Sequence, residues 1–348
     1  MNKIMQTGID LEKDDVSGTL MVENEELKCG FSKQEGVTVA NISRAIEDGL
    51  AKDYWWQLID PQKDEYTRDV FGDLHNGYFI KTKKGVKSKL PVQTCLYVSR
   101  SKFVQKIHNI IVAEDNSELR VVTGCLTGEK VEGAKHLGIT EIYVGKNAKV
   151  VFTMIHNWDK TAVVRPRTVI KVAQGGSFVS NYVCLNPVSD IQMYPKCILE
   201  GKDSRAVFNS VIFGHPGSVI DTGARIELNG ENSSGEIVSK IVCDNASIYN
   251  RGKLVGNASG IRAHLECNGL MTSEKGLIVA IPEIEARLAD LEMTHEASIG
   301  RISRDQIEYL QTRGLSEKEA SGMIVRGFLD VSSFELPKVV AEEVAKIG

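Results

Sequence analysis

Between residues 145 and 177 the chain reads GKNA, KVVFTMI, HNWDKTAVVRPR, TVIKVA and QGGS, taken as consecutive pieces. Two runs rich in β-branched and aromatic residues, KVVFTMI (149–155) and TVIKVA (168–173), are bounded by small polar corners. Val, Ile, Thr and Phe suit a pleated surface, and neither run carries the 3.6-residue apolar period of a helix. The corners GKNA (145–148) and QGGS (174–177) supply Gly and Asn, which tolerate left-handed backbone in a tight turn. Similar corners recur at 201–204 (GKDS), 245–247 (NAS) and 257–260 (NASG). A sandwich or a barrel would explain short strands; recurring small polar corners favour a solenoid of stacked parallel strands.

Working outward, the same pattern holds from about residue 76 to 300. YFIKT, CLYVS, HNIIVAE, LRVVTGC, EIYVG, FVSNYVCL, AVFNSVIF and EIVSKIVC add further strand candidates, with no amphipathic helix of useful length between them. The fold expected is mainly β, with a solenoid core over 76–300. Residues 1–75 read as a mixed segment with one helix. Asn41 or Ser43 caps it, Ile42, Ile46, Leu50 and Trp55 share its face, and it runs to about Leu58 before Asp60-Pro61 breaks it. Trp55 and Trp56 read as hydrophobic packing. Residues 301–348 read as short helices: Ser303 with Gln306 and Ser316 with Glu319 are capping boxes, and Pro337 opens a last helix. Such helices commonly cover a solenoid's open end; a docking surface is the sharper alternative.

The 348 residues carry 42% hydrophobic and 25% charged side chains and a formal charge of −4, without a long basic run. Phosphate binding wants concentrated Lys and Arg, so nucleic acid is not expected as a partner. No stretch is apolar for the roughly 18 residues a membrane span needs, and the polar start is unlike a signal peptide, so the expected location is the cytoplasm. Cys29, Cys95, Cys125, Cys184, Cys197, Cys243 and Cys267 are scattered singly with no CxxC pair. An odd set of that kind in a reducing compartment is expected as free thiols.

Three blocks carry a family resemblance. LEMTHEASIGRISRDQIEYLQTRGLSEKEASGMIVRGF (291–328) resembles the C-terminal signature of the SufB/SufD family, with its HEA segment, D-Q-x-x-Y-L helix, R-G turn and closing G-F. MYPKCILEGKDSRAVFNSVIFGHPGSVIDTGARIEL (193–228) is similar to the family's Y-P-x-C-x-L-x-G block, and VFTMIHNWD (151–159) to its Q-N-W segment. NGYFIKTKKGVKSKLPVQ (76–93) fits the strand and turn that open the family's core. The resemblance spans about residues 36–334 in order. It implies a right-handed parallel β-helix, and C-terminal helices that bind a SufC-type ABC ATPase. It also implies pairing of two scaffold subunits through the β-helix, with a nascent iron–sulfur cluster forming transiently near their junction.

Residue by residue, the resemblance implies the following. Cys125 in VVTGCLTG matches the SufB cysteine inside the β-helix that accepts sulfur. A thiolate can take up sulfane sulfur as a persulfide, although a lone strand cysteine is ordinarily a small buried hydrophobe. Cys267 in AHLECNGLM matches the SufB cysteine near the junction, and His295 and Glu296 follow where SufB reads Glu-His-Glu. Thiolate, imidazole and carboxylate form a plausible iron-binding set. Thr294 replaces the first glutamate; Glu292, on the same strand face, is the candidate substitute. Trp158 and His156 match the tryptophan and glutamine that line a passage between the two cysteines, His156 being a change from glutamine. Arg165 falls near a family lysine of similar role. The other cysteines read as structural. The histidine at 295, common to SufB and SufD, beside a SufB-like cysteine set suggests a homodimer; a paralogous partner subunit is the alternative.

The function expected is a scaffold for iron–sulfur cluster assembly that is itself no enzyme. It has no GxxxxGK[ST] loop, so nucleotide is expected in the partner ATPase. A SufD-like structural subunit without a cluster is the alternative. A polysaccharide lyase or hydrolase on a β-helix would need paired acids and stacked aromatics along one face; aromatics are 6% and no acid pair repeats at coil spacing.

Overall fold

The computed structural model describes residues 3–12, 15–332, 334 and 336–347. Along the chain come α1 (Lys3–Gln6), β1 (Gly18–Glu23), β2 (Glu26–Ser32), β3 (Val37–Asn41), α2 (Ile42–Glu47), α3 (Glu65–Gly72) and β4 (Tyr78–Thr82). A parallel β-helix of about 8 turns follows. Its turns contribute β5 (Val92–Val98) and β6 (Val104–Ala113), then β7 (Glu118–Thr127) and β8 (Lys135–Val144). The next two turns break their second strand: β9 (Lys149–Asn157) with β10 (Val163–Val164) and β11 (Arg167–Val172), and β12 (Ser177–Cys184) with β13 (Asp190–Met193) and β14 (Lys196–Leu199). Then come β15 (Arg205–Gly214) and β16 (Val219–Leu228), β17 (Ser234–Cys243) and β18 (Ser247–Gly256), β19 (Arg262–Met271) and β20 (Leu277–Ala286), and finally β21 (Glu292–Arg301). The first strand of each turn joins a front wall and the remainder a back wall.

The corner residues set the coil length. Asn116, Asn147, Gly175, Asp203, Asn232 and Gly260 all have positive φ, between 52° and 69°, one in each successive turn. Gly, Asn and Asp are the residues that enter this region most readily. The GKNA, QGGS, GKDS and NASG corners of the sequence thus form one column. The NAS corner at 245–247 belongs to another edge, where Asn245 and Gly217 turn the chain.

The N-terminal segment is richer in strand than its sequence suggests. β1 pairs in parallel with β5 and carries β2 antiparallel on its far side, extending the front wall. β3 pairs antiparallel with β4 and extends the back wall. Asn41 caps α2 as expected, accepting from the Ser43 and Arg44 amides, but the helix ends at Glu47 instead of continuing to Leu58. Asp48 is the C-cap and Gly49 turns left-handed at φ +73°. Residues 51–59 then lie over β8, where Glu141 is fully buried. Its Oε2 accepts from the Trp56 amide at 2.8 Å, and its Oε1 from the Leu58 and Ile59 amides at 2.5 and 3.3 Å. Trp55 stacks on His108 at 4.2 Å between ring centres, so the tryptophans are packing residues.

After β21 come α4 (Arg304–Thr312), α5 (Glu317–Phe328) and α6 (Lys338–Val344). α5 and α6 lie along the outside of the front wall: Val325, Leu329 and Val344 pack on Val211, Val242 and Leu270. They do not cover the solenoid's end, which corrects that expectation. Ser316 and Glu319 form a capping box, whereas Ser303 caps α4 without a side-chain hydrogen bond. Ser316→Ala is therefore expected to lower amide-exchange protection in α5 by about 1 kcal/mol, and Ser303→Ala to change α4 far less.

Candidate functional site

Alternation along a strand and register between strands decide which side chains share the lumen. On the front wall, one inward column runs Leu96, Cys125, His156, Cys184, Ile212, Ile241 and Gly269. A second runs Thr94, Thr123, Met154, Tyr182, Ser210, Ser239, Cys267 and Ala297. Cys125 and Cys267 each expose 1% of their surface and face the same interior. Five strand steps separate them, about 24 Å at 4.8 Å per step. The turns between them enclose a cavity of ≈ 40 Å³, whose walls include Met154, Tyr182, Ser210, Thr222 and Ser239. That is room for one or a few water-sized guests.

At the Cys125 end the structure gathers a chamber. His156 lies beside Cys125 in register, and its Nδ1 is 3.0 Å from the Tyr182 hydroxyl. The Trp158 ring sits 5.5 Å from His156 and 5.1 Å from His136, centre to centre. Burial lowers His136 to about 4, and burial with the neighbouring His136 lowers His156 to about 3. Burial also raises the Cys125 thiol far above its ordinary value and pushes Cys184 up to about 12. At neutral pH the chamber is therefore uncharged. The Trp158 indole N–H is buried without a partner among the described residues.

Cys125, His156 and Trp158 are thus brought together, and Arg165 is not among them. Val164 takes the inward position, while Arg165 lies outside the back wall, ion-paired with Asp190 at 2.5 Å and held over the Tyr66 ring. Sequence reasoning also missed three chamber residues. Cys184, read as structural, stands next to His156; Tyr182 and His136 carry no motif. Strand register was the signal that could have found them, since Cys125, His156 and Cys184 fall 31 and 28 residues apart, close to the coil length.

At the other end, Cys267 accepts a hydrogen bond from Asn250 Nδ2 at 2.9 Å; burial raises its pKa and this bond opposes the rise. Ser210, Ser239 and Asn250 form a hydrogen-bonded string leading to it. The remaining candidates stand on β21, one strand further. His295 is in register with Leu265 on the lumen side, whereas Glu292, Thr294 and Glu296 are on the outer side. Glu292 pairs with Arg262 at 3.6 Å, and Thr294 with His264 at 2.8 Å. His295 and Glu296 are exposed. Among the described residues, no group of three or more His, Cys, Asp or Glu is arranged to hold a metal ion. β20 and β21 each have one neighbour in their wall, so the solenoid ends in two unpaired parallel edges.

Comparison with known proteins bears on this arrangement. Residues 96–328 match the family model described as "SUF system FeS cluster assembly, SufBD core domain". The chain belongs to the SufBD family. An Archaeoglobus fulgidus iron–sulfur cluster assembly SufBD family protein is 46% identical over 345 residues, covering 99% of this chain and 93% of that protein. A Methanothermobacter thermautotrophicus SufBD family protein is 39% identical over 99% of this chain and 85% of its own length. One from Pyrococcus horikoshii is 30% identical over 90% of this chain and 71% of its own. The chain is accordingly an iron–sulfur cluster assembly protein of the SufBD family, built on a parallel β-helix. Among the described residues, no helix is long and apolar enough to cross a membrane.

Proposed function

We propose that this SufBD protein is the scaffold on which a cluster is built, with Cys125 receiving sulfur and Cys267 delivering it to iron. The observation that carries this reading is the shared lumen: both thiols face it, and the cavity lies on the turns between them. Sulfur enters as a persulfide on Cys125, in a chamber closed to water, and moves along the interior toward Cys267. Iron and the nascent cluster are cargo, held by Cys267, His295 and Glu296, with Glu292 as a reserve carboxylate. Because Cys267 and Glu296 face opposite sides, a second subunit at the open β20–β21 edge completes the ligand set. A second copy of this chain fits that role, since two unpaired edges can meet about a two-fold axis. The C-terminal helices bind an ABC-type ATPase, which supplies the nucleotide chemistry from the cytoplasm.

The test is anaerobic reconstitution of the purified chain with iron and sulfide, read by absorption and Mössbauer spectra beside Cys267→Ala. The expected result is a cluster signal that falls at least tenfold in the variant. The opposite-face placement of Glu296 favours one other reading, a SufD-like subunit without its own cluster. No signal from wild type that still binds its ATPase partner would select that reading. ATP hydrolysis by the purified chain alone would contradict both.

A further inference from the structure

We propose that Cys184 is a second sulfur acceptor inside the lumen, taking the sulfane sulfur from Cys125 before it travels on toward Cys267. The inference rests on Cys125 receiving sulfur, as proposed above. Cys184 is 1% exposed and occupies the same inward column as Cys125, with His156 alone between them. Two strand steps put the backbones about 10 Å apart. A persulfide carries its outer sulfur about 2 Å beyond the Cys125 thiol, shortening the gap that two inward-leaning side chains must close. From Cys184, three steps remain to Cys267, about 14 Å, through the cavity walled by Tyr182, Ser210 and Ser239. The stop at Cys184 therefore divides one long passage into two shorter ones.

Two further features equip this position. The Tyr182 hydroxyl is 3.0 Å from His156 Nδ1, and Tyr182 stands on the same inward face of its strand as Cys184. It thus orients the imidazole that stands between the two thiols. Independently, the Trp158 indole N–H, 2% exposed, has no acceptor among the described residues. A buried donor without an acceptor is costly, and a persulfide sulfur arriving beside His156 would satisfy it.

The step balances without an outside reagent. As the Cys184 sulfur attacks the outer sulfur of the Cys125 persulfide, its proton passes by way of His156, the imidazole standing between the two thiols. The S–S bond at Cys125 breaks as one forms at Cys184, and the Cys125 thiolate takes the proton back. One thiol and one persulfide enter and one of each leaves, with no net oxidation.

The experiment loads the full chain anaerobically with sodium disulfide as the sulfane source, followed by rapid alkylation and peptide mass spectrometry. Wild type is expected to carry persulfide at both Cys125 and Cys184. Cys125→Ser should lower label at Cys184 at least tenfold, and Cys184→Ser should leave Cys125 labelled at or above the wild-type level. Tyr182→Phe, which keeps the ring, should shift label several-fold from Cys184 back to Cys125. A mere packing role for the phenol would not move that ratio. Sulfur on Cys125 with none on Cys184 overturns this proposal alone. Undiminished label at Cys184 in Cys125→Ser overturns the order of transfer. Sulfur on neither thiol in protein that keeps its native circular dichroism overturns the role of Cys125 as well.

Discussion

Replacing Glu141 with alanine is expected to destabilise the protein by more than about 4 kcal/mol, and to release residues 51–59 from the back wall. The estimate follows from what the carboxylate holds. Its oxygens accept from the amides of Trp56, Leu58 and Ile59 and from His108 Nε2 at 2.8 Å, in a site closed to water. Alanine strands three N–H groups, that of Ile59 buried and those of Trp56 and Leu58 partly so, at about 1–3 kcal/mol for each buried one, and leaves the buried His108 ring without its partner. Glu141→Gln keeps the shape and one acceptor oxygen, so about half the loss is expected. Urea unfolding of the two variants measures this, and amide exchange locates it at 56, 58 and 59. A loss below about 1 kcal/mol for alanine would mean that water replaces the carboxylate, and that the segment is not anchored there.

The same residue shows why the helix at 41–58 was misjudged. The apolar spacing of Ile42, Ile46, Leu50 and Trp55 is helical, and Asn41 is a sound cap. The helix stops at Glu47 because Asp48 caps it and Gly49 turns left-handed. What then holds 56–59 off a helical path is a set of hydrogen bonds to residue 141, some 80 positions away, which no local pattern carries. Elsewhere burial decided legibility. In β6, β7 and β8 both faces are covered, one by the lumen and the other by the N-terminal segment or α1, and their burial patterns are nearly continuous. Those strands read as unbroken apolar runs. In β16, β18 and β19 the outer face meets solvent, and burial alternates strictly along much of each strand. Asp221, Arg251 and His264 then interrupt the runs, and these strands were not picked out individually.

The chamber was half legible for a related reason. Cys125, His156 and Trp158 stand in recognisable segments, so the resemblance carried them. Cys184 and Tyr182 become visible only when the coil length is applied from strand to strand, and His136 only because the back wall lies opposite. Arg165 was placed by counting through β10 and β11, where the chain breaks stride. There a single residue of offset exchanges lumen for solvent.

Acid should unfold this protein steeply between about pH 6.5 and 4. Burial lowers the pKa of His108, His136 and His156 below the ordinary 6.5, His136 to about 4 and His156 to about 3. A depressed imidazole stays neutral in the fold while the unfolded chain takes up a proton. Each therefore contributes nothing above pH 6.5, and stability falls as pH drops from there toward the folded value. His136 and His156 alone let the unfolded state bind up to two more protons, a slope approaching about 2.7 kcal/mol per pH unit near pH 5, and His108 acts in the same direction. Over the range from about pH 6.5 to 4 that slope removes much of a total stability of about 5–15 kcal/mol. Urea midpoints at half-unit intervals from pH 8 to 5 test it, with His156→Gln expected to remove about half of the slope that His136 and His156 supply. Stability that stays flat from pH 7 to 5 would mean that the lumen histidines charge in place, and hence that water reaches the chamber. That outcome would bear on function too, because a wet chamber does not protect a persulfide. The acid profile therefore tests the seclusion on which a sulfur-accepting role for Cys125 depends, independently of any reconstitution.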